Sequence, residues 1–139
     1  MLVEVQFSAA RNSLKEVFDT VWYRSLPAIV KRRRIEEILL IRRDLQQDIL
    51  RVYKFKPEVL PEDDGSVTLA LDELDLAVNA PTIEEAVEDL VREIKFYAEE
   101  YRERPQLFLN TPNRKEHFPY ILRAWLCESD QEIKSLLEM

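Results

Sequence analysis

Two groups of residues in this 139-residue chain have types and spacings that could do chemistry. The first is cationic. Lys31-Arg32-Arg33-Arg34 stand in a row at a hairpin tip, where turn formers such as Asn-Gly would be expected, and Arg11, Asn12 and Lys15 form a polar edge near the N-terminus. Four adjacent like charges repel one another, and phosphate would relieve that repulsion with counterion release as a further gain. Arg11 falls in the first turn of a predicted helix, where the positive end of the dipole disfavours a cation by a few tenths to about 1 kcal/mol. That penalty is tolerable if the helix start faces phosphate or a base edge. The plain alternative for both groups is a solvated cationic surface. The second group is anionic: Glu62/Asp63/Asp64 and Asp72/Glu73/Asp75 offer the oxygen donors that Mg2+ takes. The first triplet reads as a turn and the second as a strand connection, both ordinarily solvated, and no neighbouring His or basic residue suggests a proton shuttle. A Mg-dependent nuclease is the weakest of the readings.

Composition removes other chemistries. One cysteine, Cys127, and one histidine, His117, cannot build a disulfide framework or a Cys/His zinc site within one chain, and no nucleophile motif surrounds either. The single glycine, Gly65, rules out Gly-rich phosphate loops, which need several glycines for close backbone approach. No catalysis, metal or cofactor is expected. No apolar run reaches the roughly 18 residues of a membrane span, and MLVEVQFSA has neither the basic start nor the apolar core of a signal peptide. The expected location is cytoplasmic, away from membranes.

The elements that must position the cations lie in a half of the chain with its own charge. Residues 1–56 hold 12 Lys+Arg and 7 Asp+Glu, net +5, whereas residues 57–139 hold 8 and 20, net −12; together they give the chain's −7. We expect an α+β protein of two modules, residues 1–50 and 51–139. In the first, Val3/Val5/Phe7 alternate with Glu4/Gln6 as in a half-buried strand. Ser8 then suits a helix N-cap, and Ala10, Leu14, Val17, Phe18, Val21 and Trp22 recur at helical spacing to about Tyr23. Ala28-Ile29-Val30 after Pro27 reads as a strand, and Ile38-Leu39-Leu40-Ile41 as a strand covered on both faces. Asp44 suits the cap of a short helix holding Leu45, Ile49 and Leu50. Fifty residues bury little core alone, so dimerisation is the expected remedy.

The order strand, Ser8-Ala9-Ala10-Arg11-Asn12-Ser13-Leu14, amphipathic helix, Pro27-Ala28-Ile29-Val30-Lys31-Arg32-Arg33 and Ile38-Leu39-Leu40-Ile41 resembles the prevent-host-death (Phd/YefM) antitoxin family over residues 1–50. The resemblance implies a β-α-β-β-α dimer that binds operator DNA through the helix start and the basic hairpin, represses its own operon, and neutralises a toxin with its C-terminal part. It carries the DNA-contacting role to Arg11 and to Lys31, Arg32 and Arg33, with Asn12, Lys15 and Arg34 beside them. The sequence departs from the family by replacing the hairpin Gly near Arg34 and by placing Glu36-Glu37 where apolar residues or Pro are common. Those carboxylates could pair with the neighbouring Arg side chains and lower DNA affinity, so a protein-interaction dimer without DNA contacts is the alternative.

The acidic half is patterned rather than aperiodic. Val52-Tyr53-Lys54-Phe55-Lys56 alternates, Glu62–Ser66 reads as a turn, and Val67/Leu69/Leu71 and Leu74/Leu76/Val78 read as two strands around Asp72-Glu73. Thr82 with Glu85 forms a capping box before a helix with Ile83, Ala86, Val87, Leu90, Val91, Ile94, Tyr97 and Tyr101 on one stripe. Leu107-Phe108-Leu109 reads as a further strand. The turn Glu62-Asp63-Asp64-Gly65 followed by Thr82-Ile83-Glu84-Glu85-Ala86 resembles the HicB antitoxin core over about residues 52–110. That resemblance implies an antiparallel sheet plus a long helix, without catalytic carboxylates, that binds a toxin. Two C-terminal helices follow: one carries Phe118, Ile121, Leu122, Trp125 and Leu126, with Pro119 in its first turn, and the other is capped by Ser129 with Glu132. His117 reads as a surface or helix-entry residue. The partners expected are operator DNA, a basic toxin and a second copy of the chain.

Overall fold

The computed structural model describes residues 1–139, with two small three-stranded sheets and eight α-helices in an α+β arrangement. The chain divides into two compact units, Met1–Ile49 and Leu50–Met139.

In the first unit the alternating N-terminal residues make strand β1, Glu4–Gln6, shorter than the alternation suggested because helix α1 already starts at Phe7. β1 runs parallel to β2 (Ala28–Arg32), which pairs antiparallel with β3 (Glu36–Leu40) in the sheet order β1-β2-β3. The helical stretch between β1 and β2 is two helices, α1 (Phe7–Asn12) and α2 (Leu14–Tyr23). Ser13 breaks the helix between them, with φ −125° and ψ 38°. Ser8 does not cap: the capping position is Gln6, which makes no side-chain cap bond. The helices cover one face of β2, and Ala10, Val17, Ala28 and Val30 form a small core with Val5, Val21 and Leu40 against it. Helix α3 (Arg43–Leu50) follows, with Asp44 inside its first turn and Leu50 buried, while Ile49 is exposed. β3 is an edge strand, and its apolar run is not covered on both faces as the sequence suggested: Ile38 is 60% and Leu39 53% exposed.

The second unit is built on an antiparallel meander of β4 (Glu58–Pro61), β5 (Val67–Leu71) and β6 (Leu76–Ala80). Period 2 sends Leu69 and Leu71 inward, where both are fully buried, and leaves Thr68 and Ala70 on the other face. Between β5 and β6, Asp72–Leu74 is a 3-10 turn, so Leu74 enters the core from that turn rather than from a strand. Helix α4 (Ile83–Glu103) packs on β5 and β6 through Ala86, Leu90, Val91, Ile94, Tyr97, Ala98 and Tyr101. Its start is capped as the sequence indicated: Glu85 N donates to Thr82 Oγ1 at 3.2 Å. Residues 52–56 form no extended strand; Phe55 alone pairs, in an isolated parallel bridge with Leu137. Leu107-Phe108-Leu109 is not a strand either. It lies in helix α5 (Pro105–Leu109), which Pro105 opens with a φ already suited to a first turn. Helices α6 (Pro112–Lys115), α7 (Phe118–Trp125) and α8 (Asp130–Leu136) complete the unit. Ser129 caps α8 by accepting from Glu132 N at 3.2 Å.

Candidate nucleic-acid interface

The cationic row straddles the β2–β3 hairpin. Lys31 and Arg32 end β2, opposite Glu37 and Glu36 of β3, and the tip itself is Arg33-Arg34-Ile35. Arg33 adopts φ +58°, the left-handed conformation that a glycine would take without a Cβ penalty. Directly opposite residues of an antiparallel pair project to the same face, so the register makes each cation meet a carboxylate. Lys31 Nζ lies 3.3 Å from Glu37 Oε1 and 3.7 Å from Glu4 Oε2 of β1. Arg32 Nη2 donates to Glu36 Oε2 at 2.8 Å, and Arg33 Nη1 stands 3.4 Å from Glu36 Oε1. The Arg32 hydrogen bond holds the Glu36 carboxyl below the usual carboxylate range, while Glu37 and Glu4 raise the Lys31 ammonium. Arg34 is exposed and makes no ion pair. Four cations thus face three carboxylates.

Because β1 and β2 are parallel, both end beside the hairpin base, Gln6 opposite Lys31. Helix α1 starts there, and the Arg32 guanidinium sits over the Phe7 ring at 5.4 Å from its centroid. The hairpin cations and the α1 start therefore emerge at one end of this sheet. Arg11 and Asn12 are exposed in the last turn of α1, not its first. The expected dipole penalty on Arg11 is absent, since the negative end of a helix favours a cation. Lys15 belongs to α2 and donates to Asp19 at 2.7 Å. Neither a hydrogen bond nor an ion pair joins Arg11, Asn12 or Lys15 to the hairpin.

Sequence reasoning missed two residues of this region. Glu4 acts on Lys31 only because β1 is the neighbour of β2 in the sheet. Arg42 stacks over Trp22 at 4.7 Å, donates to Ser25 Oγ at 2.8 Å and forks onto Asp44 at 2.6 and 3.0 Å. It ties the start of α3 to the end of α2, at the end of β3 away from the hairpin tip. The same unit exposes a row of large apolar side chains at helical spacing on α2, Leu14, Phe18 and Trp22, besides Ile38 and Leu39 on β3. Phe18, 63% exposed, follows Val17 of the small core by one residue, about 100° around the helix, so the row lies beside the core face.

The anionic triplets of the second unit do different work. Asp64 Oδ1 accepts from Ser66 N at 2.9 Å and Ser66 Oγ at 2.6 Å, which closes the β4–β5 turn where Gly65 takes φ +87°. Asp72 and Glu73 lie in the 3-10 turn, and Asp75 follows in left-handed conformation with φ +54°. No three His, Cys, Asp or Glu side chains converge as a set of metal ligands. His117 enters α7 but is buried, 6% exposed, which corrects the surface reading. Its Nδ1 shares a hydrogen bond with the Tyr97 hydroxyl at 2.7 Å, and Nε2 faces Asp75 Oδ2 at 3.4 Å. Burial holds the imidazole pKa down despite Asp75, and burial also raises that of Tyr97.

No helix is long and apolar enough to cross a membrane. Among curated proteins no relative matches the chain. A crystal structure from Syntrophomonas wolfei subsp. wolfei, assigned as the antitoxin part of a toxin/antitoxin system, is similar at 31% identity and a TM-score of 0.87, over 99% of this chain and 97% of that one. The PHD_like family model, described as antitoxin of toxin-antitoxin, RelE/RelB, TA system, matches residues 1–139. The sheet-plus-helix units, the basic hairpin and this full-length match agree, and the chain belongs to the PHD_like family of antitoxins.

Proposed function

We propose that the chain is an autorepressing antitoxin of a type II system, in which a Phd/YefM-like module, residues 1–50, binds operator DNA as a homodimer and residues 51–139 neutralise a basic toxin. The observation that carries the DNA reading is the gathering of Lys31, Arg32, Arg33 and Arg34 with the α1 start at one end of a sheet. Arg33 and Arg34 at the tip reach phosphate first; Lys31 and Arg32 follow once phosphate competes with Glu36 and Glu37. Arg11, Asn12 and Lys15 extend the footprint along α1 and α2. The exposed row Leu14, Phe18 and Trp22 supports a second copy of the chain as its cover, since large contiguous apolar surface marks an interaction site. The order β4-β5-β6-α4 supports the HicB-like reading as far as α4, and helical α5 departs from it. The protein acts by binding, in keeping with its family, and works in the cytoplasm where operator DNA is.

One observation favours the alternative of an interaction dimer without DNA contacts: three of the four hairpin cations already hold carboxylates. Fluorescence anisotropy on a duplex from the chain's own promoter separates the two. The repressor reading expects preference for that duplex, affinity falling steeply with salt, and weaker binding for Arg33→Ala/Arg34→Ala and for Arg11→Ala. Equal, weak binding to promoter and unrelated DNA at low salt would leave the interaction dimer.

A further inference from the structure

The second unit carries one aromatic side chain that its fold does not use. Successive residues of α4 turn by about 100°, so the core stripe Leu90, Ile94, Tyr97 and Tyr101 leaves Phe96 on the far side of the helix. Phe96 is 62% exposed on a face otherwise made of charged residues. A lone exposed Phe needs no explanation by itself. Here, however, Phe96 forms one wall of a 350 Å³ hollow where α4 meets α5, and Phe108 forms another. Leu107, beside Phe108, is also exposed.

The charges around this hollow select its occupant. Glu99 is held by Arg102 at 2.6 Å, whereas Glu100 and Glu103, which line the hollow, and Glu93, one turn before Phe96, have no ion pair. Arg104 at the rim is the single cation in the lining. Arg114 stands over the Phe108 ring at 5.8 Å and acts on Glu100, and Arg102 acts on Glu103. Glu93, Glu99, Glu100 and Glu103 still outnumber Arg102, Arg104 and Arg114, and two aromatic walls beside this carboxylate surplus fit a side chain with an apolar stem and a cationic head. Nucleic acid and anionic surfaces are repelled by the same carboxylates, and the two ring walls would lie idle against a small inorganic cation.

We propose that the α4–α5 hollow is the anchor point for a cationic segment of the partner toxin, an arginine or lysine whose stem lies on Phe96 and Phe108 and whose head reaches Glu100 and Glu103. This deepens the toxin-neutralising reading and rests on it. The test uses the full chain and the small protein encoded by the adjacent gene, purified together and then titrated by calorimetry. Phe96→Ala removes an exposed side chain and leaves the thermal midpoint unchanged, while the dissociation constant rises at least about ten-fold, as for an interface anchor. Glu100→Gln/Glu103→Gln weakens binding and flattens its salt dependence. Glu62→Gln/Asp63→Asn removes the same charge from the β4–β5 turn and stays within about two-fold of wild type, the range of remote surface changes. Tight wild-type binding that neither Phe96→Ala nor Glu100→Gln/Glu103→Gln alters overturns the hollow and leaves the toxin reading intact. No binding by the wild-type chain overturns both.

Discussion

If the chain binds operator DNA as proposed, neutralising the hairpin carboxylates tightens that binding, because Glu36 and Glu37 occupy cations that phosphate would need. Lys31, Arg32, Arg33 and Arg34 face Glu4, Glu36 and Glu37, which leaves the hairpin a net charge of +1. Glu36→Gln/Glu37→Gln raises this to +3 while keeping side-chain size and some hydrogen bonding. Each added phosphate contact steepens the dependence of log affinity on log salt by about 0.9. Arg32 is freed from Glu36 while Lys31 keeps Glu4 at 3.7 Å, so one to two contacts are added per protomer and the slope steepens by about 0.9 to 1.8 per protomer, twice that if two copies bind. Anisotropy titrations of promoter duplex between about 50 and 300 mM KCl measure that slope directly. The variant should bind more tightly than wild type at the lowest salt and converge with it as salt rises. Discrimination between promoter and unrelated DNA should fall, since the gain is to phosphate and not to base edges. An unchanged slope and affinity would mean that the hairpin does not meet the duplex.

Three further outcomes follow from the same structure. If a second copy covers the exposed row on α2, Phe18→Asp gives a monomer in light scattering where wild type is a dimer, with loss of promoter binding in parallel; a variant that still dimerises would move the interface elsewhere. His117 has its ordinary pKa of 6.5 when unfolded and a lower one when buried. The unfolded chain then binds more protons as pH falls through 6.5, so stability is full above that value and declines below it until the folded-state pKa is reached. Thermal melts from about pH 7.5 to 5, above the range where the Glu36, Asp44 and Asp64 carboxylates titrate, should show this decline in wild type and a flatter profile in His117→Gln. Phe55 is fully buried, 5.5 Å edge-to-face from Tyr120, and Phe55→Ala should cost about 3–5 kcal/mol in chemical denaturation.

What the sequence made legible was whatever local chemistry decides. Thr82 with Glu85 and Ser129 with Glu132 announced their helices because a hydroxyl three residues ahead of a carboxylate satisfies free amides in any context. Val67/Leu69/Leu71 announced β5 because period 2 suits only a half-buried strand. What long-range contact decides stayed hidden. Leu107-Phe108-Leu109 has strand-like residue types, yet Pro105 starts a helix that stacks Phe108 on Tyr101 at 4.8 Å. The break at Ser13 has no Gly or Pro to mark it, and it is what moves Arg11 from the first turn of a long helix to the last turn of a short one. The apolar run on β3 reads as buried because consecutive apolar residues suit a strand between two layers, and nothing local marks β3 as the edge of its sheet. His117 is buried because α4 supplies Tyr97 as a partner twenty residues earlier. At the candidate interface the cationic row and its rival carboxylates were both visible, but the pairing of Lys31 with Glu37 and of Arg32 with Glu36 required the strand register.

Whether this chain acts as an antitoxin is read from growth. The adjacent gene's product is induced in a bacterial host with and without this chain from a separate promoter, and colony formation is counted. Growth stops when that product is made alone and resumes when the chain is present. Arrest that persists with the chain soluble and abundant, or no arrest at all, would contradict it.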